Sequence, residues 1–165
     1  MQTTQFQNFI GGRWVSSESG NSYPVNNPAF KNVILGTAQR SDIVDAKRAI
    51  ESAHQALSGW AETPAPQRGT IIYRAFELLR TRKSEFAKTI TEEEGKSLSD
   101  ALGEVNRSMN ILEYAAGEGR RMFGQTTPSE LPNNLAYTTR RPLGVVSIIT
   151  PWNFPSAMLA RKVGP

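Results

Sequence analysis

The chain has 165 residues, which is room for one domain or at most two small ones. Nineteen lysines and arginines against fifteen aspartates and glutamates leave a formal charge of +4, too small an excess to mark a nucleic-acid binder by itself. There is no cysteine and a single histidine, His54, which excludes disulfides, Cys-based metal sites, a thiol nucleophile within these residues and a His-cluster metal site, and disfavours a local Ser-His-Asp triad.

Met1 to Gln5 offers neither a basic n-region nor an apolar h-region. The longest apolar stretch, Gly144 to Ile149, is far too short to cross a bilayer. Both point to a cytoplasmic protein with no membrane partner. Next, Phe9-Ile10-Gly11-Gly12-Arg13-Trp14-Val15 reads as two short strands about a Gly-Gly turn. Tyr23 to Val25 and Val33 to Ala38 read as further strands, separated by the turn Asn26-Asn27-Pro28. This quarter predicts antiparallel edge structure.

Helical periodicity follows. Ile43, Ala46, Ile50, Ala53, Leu57 and Trp60 fall on one face, with Ser41 as the expected N-cap, Gly59 and Pro64 at the end, and His54 at the boundary of the stripe. A second helix is predicted from near Pro66, with Ile72, Phe76 and Leu79 inward. Ser84 is the expected cap of a continuation through Phe86 and Ile90, and Gly95 its stop. Ser97 with Asp100 predicts a cap for the longest amphipathic helix, marked by Leu98, Leu102, Val105, Met109, Leu112 and Ala116 and ending near Gly124. Its small residues, Gly103, Ala115, Ala116, Gly117 and Gly119, permit close packing but lower intrinsic helicity.

Residues 125 to 134 form a polar, Pro-containing connection, and Leu135 to Arg140 alternates as a strand. The unbroken apolar run from Gly144 to Thr150 predicts a strand buried on both faces, as in a parallel sheet. A tight loop, Pro151 to Pro155, leads to a helix from Ser156. A crossover helix needs a second parallel strand to return to, so this unit reads as half of a βαβ motif and the chain as the N-terminal piece of something longer. The isolated chain is expected to fold poorly, because the strand lacks a neighbour and the apolar helix faces lack a sheet.

Residues 150 to 154 sit at the carboxyl end of that expected strand, where open α/β sheets bind ligands. A side-chain amide there, Asn153, is suited to donate to a developing oxyanion, and the backbone from Ile149 to Trp152 to border a cofactor. On composition alone, a Pro-rich structural loop is the plainer reading.

The string Pro142-Leu143-Gly144-Val145-Val146-Ser147-Ile148-Ile149-Thr150-Pro151-Trp152-Asn153-Phe154-Pro155 closely resembles the segment before the first cofactor loop of aldehyde dehydrogenases. Asn8 to Val15, Asn27-Pro28-Ala29, Trp60, Arg68, Glu93-Glu94-Gly95-Lys96 and the helix to Gly124 follow the family's order. The resemblance implies an α/β fold: an incomplete Rossmann-like NAD(P)-binding domain with N-terminal antiparallel strands, several long helices and the first parallel strand. It divides the chain into residues 1–133, the start of an oligomerisation arm at 134–143, and the first strand-loop-helix of the cofactor sheet at 144–165.

The same resemblance implies that Asn153 donates its amide to the oxyanion of a thiohemiacetal. Ile149, Thr150, Pro151 and Trp152 would contact NAD or NADP, and Phe154 and Met158 would line the substrate tunnel, with ordinary core as the alternative for those two. The stretch Ser156 to Pro165 is most similar to succinate-semialdehyde dehydrogenases, and residues 92 to 140 resemble 2-oxoglutarate-semialdehyde dehydrogenases. Arg161 would then pair with a distal substrate carboxylate, a bidentate contact that suits guanidinium. The implied substrate is a small-molecule aldehyde bearing an acid group, and the implied assembly a homo-oligomer, dimer or tetramer. The family's cysteine nucleophile has no counterpart among these residues, so the chain alone is expected to be inactive.

Two rival readings remain. One is a non-catalytic protein that docks on full-length subunits. The other, a nucleic-acid-binding module, rests only on Arg68, Arg74, Arg80, Arg82 and Lys83, and the solvated face of a helix explains those without a nucleic-acid partner. Glu92-Glu93-Glu94 reads as a solvated turn near a helix end, with a paired-carboxylate acid/base site as the weaker alternative.

Overall fold

The computed structural model describes residues 4–165, so the reading of Met1 to Gln5 falls largely outside it. Strand β1 (Gln5–Phe6) opens the described chain, and β2 (Asn8–Ile10) and β3 (Arg13–Val15) form the expected hairpin about Gly11 and Gly12. Phe9 and Trp14, opposite one another, bring their rings to 5.0 Å. Strands β4 (Ser22–Asn26) and β5 (Ile34–Gln39) pair antiparallel, with the turn between them held by Asn27 Oδ1 accepting from Ala29 N and Phe30 N. Purely antiparallel structure was the expectation, but β1 lies parallel to the other edge of β5. The long connection between β1 and β5, through a hairpin and a strand, gives the chain the length a parallel return needs.

Helix α1 (Ile43–Glu62) is capped by Asp42 rather than by the expected Ser41. Asp42 Oδ1 accepts from Val44 N at 2.8 Å, and Asp45 accepts back from Asp42 N at 3.2 Å, a reciprocal capping box. The carboxylate also complements the helix dipole, while the Ser41 hydroxyl accepts from Asn8 Nδ2. The α1 stripe expected inside is largely outside: Ile43, Ile50 and Trp60 are exposed, as is His54, expected at its boundary. An apolar stripe specifies that a helix wants covering, not that these residues supply the cover.

The packed body is helical. Helix α2 (Ala65–Thr81) passes through Arg82 into α3 (Lys83–Glu94), so Ser84 lies inside α3 instead of capping it. Ser97 accepts from Asp100 N at 3.1 Å and caps α4 (Leu98–Glu118), as the sequence predicts. This helix stops at Gly119, short of the expected Gly124. Helices α2, α3 and α5 (Pro155–Val163) all pack on α4. Leu79, Ala87, Ile90, Ala101 and Val105 form the core, with Leu102, Met109 and Leu112 against it. Burying Val105 alone stabilises by roughly 1.5–3 kcal/mol. A Cβ at Gly69 would meet the Ala116 carbonyl oxygen at 2.4 Å, so glycine is what lets α2 approach the α4 backbone.

From 120 to 150 regular structure thins. Strands β6 (Thr126–Thr127) and β7 (Ala136–Tyr137) form a minimal antiparallel pair, where a strand from Leu135 to Arg140 was expected. The expected strand at 144–150, buried on both faces, is not formed: the run carries no ladder pairing, and Val146 and Ile149 are 59% and 85% exposed. A strand exists through its neighbour's hydrogen bonds, and no other strand lies beside this run among the described residues.

Candidate functional site

Gly95 makes the site possible. It ends α3 at φ 90°, in the left-handed region, with its N–H on the Thr91 carbonyl. A side chain there would be strained, and its Cβ would meet Pro28 Cγ at 2.9 Å. The reversal sends Lys96 inward toward α4 and α5.

Lys96 is the hub. Its Nζ donates to Glu104 Oε2 at 2.6 Å and to the Asn153 carbonyl at 2.8 Å, and lies 3.4 Å from Glu94 Oε2. It also stands 4.5 Å from the centroid of the Phe154 ring, a cation–π distance. Glu104, on α4, has a side chain only 1% exposed. Its second oxygen, Oε1, accepts from Ser156 N at 2.8 Å and Ala157 N at 3.1 Å, the first free amides of α5. Ser108, one turn along α4, meets Ser156 through their hydroxyls at 2.8 Å. Burial works against the charge on Lys96, but the hydrogen bond and charge of Glu104, joined by Glu94, outweigh it and hold the ammonium above its ordinary pKa.

This frame carries the loop Pro151–Phe154 at the start of α5. Asn153 has its carbonyl tied to Lys96 and is otherwise exposed. Ile149 and Trp152 are exposed, Thr150 is half-buried, and Pro151 is exposed between them. Met158 and Arg161, three residues apart, share one side of α5, with Phe154 at its N-cap, while Ala157 and Ala160 are buried. Phe154 is partly covered by Lys96, Met158 is half-buried, and Arg161 is exposed in the last turn. The eight residues singled out from sequence are therefore contiguous along one loop and one helix.

Sequence reasoning missed the support beneath them. Glu94 is not part of a solvated turn: its side chain is 14% exposed and paired with Lys96. Glu104 was legible in principle, as a charge on the buried face of α4, three residues after Ala101 and four before Ser108. Three of the five basic residues singled out near α2 and α3 are locally engaged. Arg68 donates to the Thr63 carbonyl at 2.5 Å and stacks over Trp60, Arg80 pairs with Glu77, and Arg82 pairs with Glu85. No helix among the described residues is long and apolar enough to cross a membrane.

Comparison with known proteins places this chain in a lineage. Residues 14–165 match the profile of the aldehyde dehydrogenase family. The α-ketoglutaric semialdehyde dehydrogenase of Bacillus subtilis is 42% identical over 97% of this chain and 33% of its own length. The solved succinate-semialdehyde dehydrogenase of Burkholderia pseudomallei superposes with a TM-score of 0.92 at 39% identity, over 96% of this chain and 33% of that one. A solved NADP-dependent enzyme of Escherichia coli gives 0.93 at 34% identity, over 97% and 33%. The chain thus spans about a third of the length of the relatives it matches. By sequence over most of its residues, and by fold, the chain belongs to the aldehyde dehydrogenase family.

Proposed function

We propose that this chain contributes the oxyanion donor and part of the cofactor and substrate walls to an NAD(P)-dependent dehydrogenase that oxidises a semialdehyde acid to the dicarboxylic acid. The observation that carries the reading is the loop 151–154, pinned by Lys96 with Asn153 exposed at its tip, in a member of this family. A donor fixed in advance stabilises negative charge as it develops on the carbonyl oxygen, which lowers the barrier rather than merely binding substrate. Phe154 at the N-cap of α5 and Met158, on the side of that helix shared with Arg161, supply an apolar wall, and Arg161 a cation for the distal carboxylate.

The residues present fit one end of a nicotinamide cofactor. Exposed Ile149 and Trp152 and the main chain between them offer a surface for a flat ring. The first amides of α5 are already engaged by Glu104, so the helix start is not the place for a pyrophosphate. The bound cofactor would accept the hydride. The nucleophilic thiol that must first add to the aldehyde is absent from residues 1–165, which leaves the chain inactive alone. Residues 134–143, with Leu135 exposed beside the β6–β7 pair and Tyr137 exposed within it, fit the start of an arm that joins subunits into a homo-oligomer.

The test is a hybrid in which residues 1–165 are joined to the remaining two thirds of the Bacillus subtilis relative. It should reduce NAD or NADP with α-ketoglutaric or succinate semialdehyde in preference to a neutral aldehyde, and Arg161→Ala should erode that preference. A hybrid that folds yet turns over no aldehyde contradicts the proposal. A second reading, a non-catalytic protein that docks on full-length subunits, draws on the uncovered stripe of α1 and the exposed run at 144–150. It predicts a stable complex of the chain with an intact relative and no activity in the hybrid.

A further inference from the structure

We propose that Lys96 and Glu104 are positioning residues for the oxyanion donor: together they hold the main chain at Asn153 and just after it, and so fix the point from which its amide side chain extends. The inference rests on the function proposed above, and its test separates the two.

The clamp works at both ends of a short span. Upstream, Lys96 Nζ holds the carbonyl of Asn153 and faces the ring of Phe154. Downstream, Glu104 Oε1 takes the amides of Ser156 and Ala157. The two grips are one unit, because Glu104 Oε2 binds Lys96 at 2.6 Å. The segment they hold follows a run without strand pairing, and its other holds lie on the α5 side: the Ser108–Ser156 hydroxyl contact and the Phe154 carbonyl, which accepts from Met158 N. Without the clamp, residues 151–154 would hang between an exposed run and the first turn of α5.

A buried ion pair is a weak source of net stability, because desolvation offsets much of the attraction. Its better-attested use is to specify one geometry. Here every partner of the pair beyond Glu94 lies on the loop that carries the donor or on the helix start behind it. A misplacement of about 1 Å in a catalytic group can cost on the order of 10²-fold in rate. The clamp acts on the main chain of Asn153, so its loss should lower turnover more than it changes affinity.

Two measurements test this. Amide exchange on the full 165-residue chain should show Ser156 and Ala157 protected at least about tenfold relative to 146–149, and Glu104→Ala should abolish that protection. Equal exchange of the two segments in the unmodified chain overturns the clamp. In the hybrid enzyme, Lys96→Met should lower kcat by about 10- to 100-fold with KM within about threefold, and Lys96→Arg should recover part of the loss. In an Asn153→Ala background, Lys96→Met should cost less than about twofold more, because both changes remove the same contribution. Losses that multiply, or a kcat per folded molecule untouched by Lys96→Met, overturn the proposal. If Asn153→Ala leaves kcat unchanged, the functional reading fails instead, and the exchange result still decides the clamp.

Discussion

The helical body and the segment from 120 to 150 answer to different physics. In the body, the apolar faces have a partner at hand: α2, α3 and α5 all settle on α4, and small residues at the crossings allow close approach. Beyond α4 the chain contains comparable apolar residues, including Leu131, Leu143, Val146 and Ile149, yet all are exposed. Apolar content alone therefore does not make a core. It must recur at the period of an element whose partner is at hand.

The largest break in the body should come from Glu104→Ala. It removes the nearest carboxylate from Lys96 and leaves two helix amides unpaired in one step, and removing one partner of a buried pair costs about 3–5 kcal/mol. Urea unfolding followed by the helical circular dichroism signal measures it. Gly69→Ala should follow at about 1–3 kcal/mol, since α2 must back away from the Ala116 carbonyl. A change under 0.5 kcal/mol, as is usual for surface positions, would show that the crossing is looser than its geometry.

The N-terminal cap sharpens the comparison through pH. Asp45 accepts from Ser17 Oγ at 2.6 Å and from the amides of Glu18 and Asp42. The Ser17 hydrogen bond leads in pulling its carboxyl below the usual range; burial opposes it, and the two amides and Arg48 assist. A carboxyl with a depressed folded-state pKa stabilises above its unfolded pKa and loses that contribution as the pH falls toward the folded value. The junction of α1 with the Ser17 turn should therefore loosen below the ordinary carboxylate range, and Asp45→Asn should remove that acid dependence. The α2–α4 crossing, where Gly69 abuts the Ala116 carbonyl, should not share it. Smallest of all, Ile149→Ser should change stability by no more than about 0.5 kcal/mol, because the side chain is 85% exposed. A larger loss would mean that the run is covered in solution.

What the sequence made legible follows the same division. The Ser97–Asp100 cap, the left-handed stop at Gly95 and the Gly11–Gly12 hairpin are local signals that appear where expected, and α5 starts at Pro155, one residue before the expected Ser156. Asp42 displaced Ser41 as a cap because two candidate side chains stood adjacent: Asp45, three residues on, completes a capping box with Asp42, while Asn8, far away in sequence, engages the Ser41 hydroxyl. The strand at 144–150 failed because strands are non-local. At the site, the loop and α5 residues were readable from their motif, whereas Lys96 and Glu104 meet Asn153 and Ser156 across 57 and 52 positions. No window of sequence shows a hydrogen bond of that span.

The central claim is that the Asn153 amide stabilises the developing oxyanion. In the hybrid enzyme, Asn153→Ala should lower kcat by about 10²- to 10³-fold while the folded yield and cofactor affinity stay near those of the parent. Undiminished turnover in a folded Asn153→Ala hybrid would contradict the account.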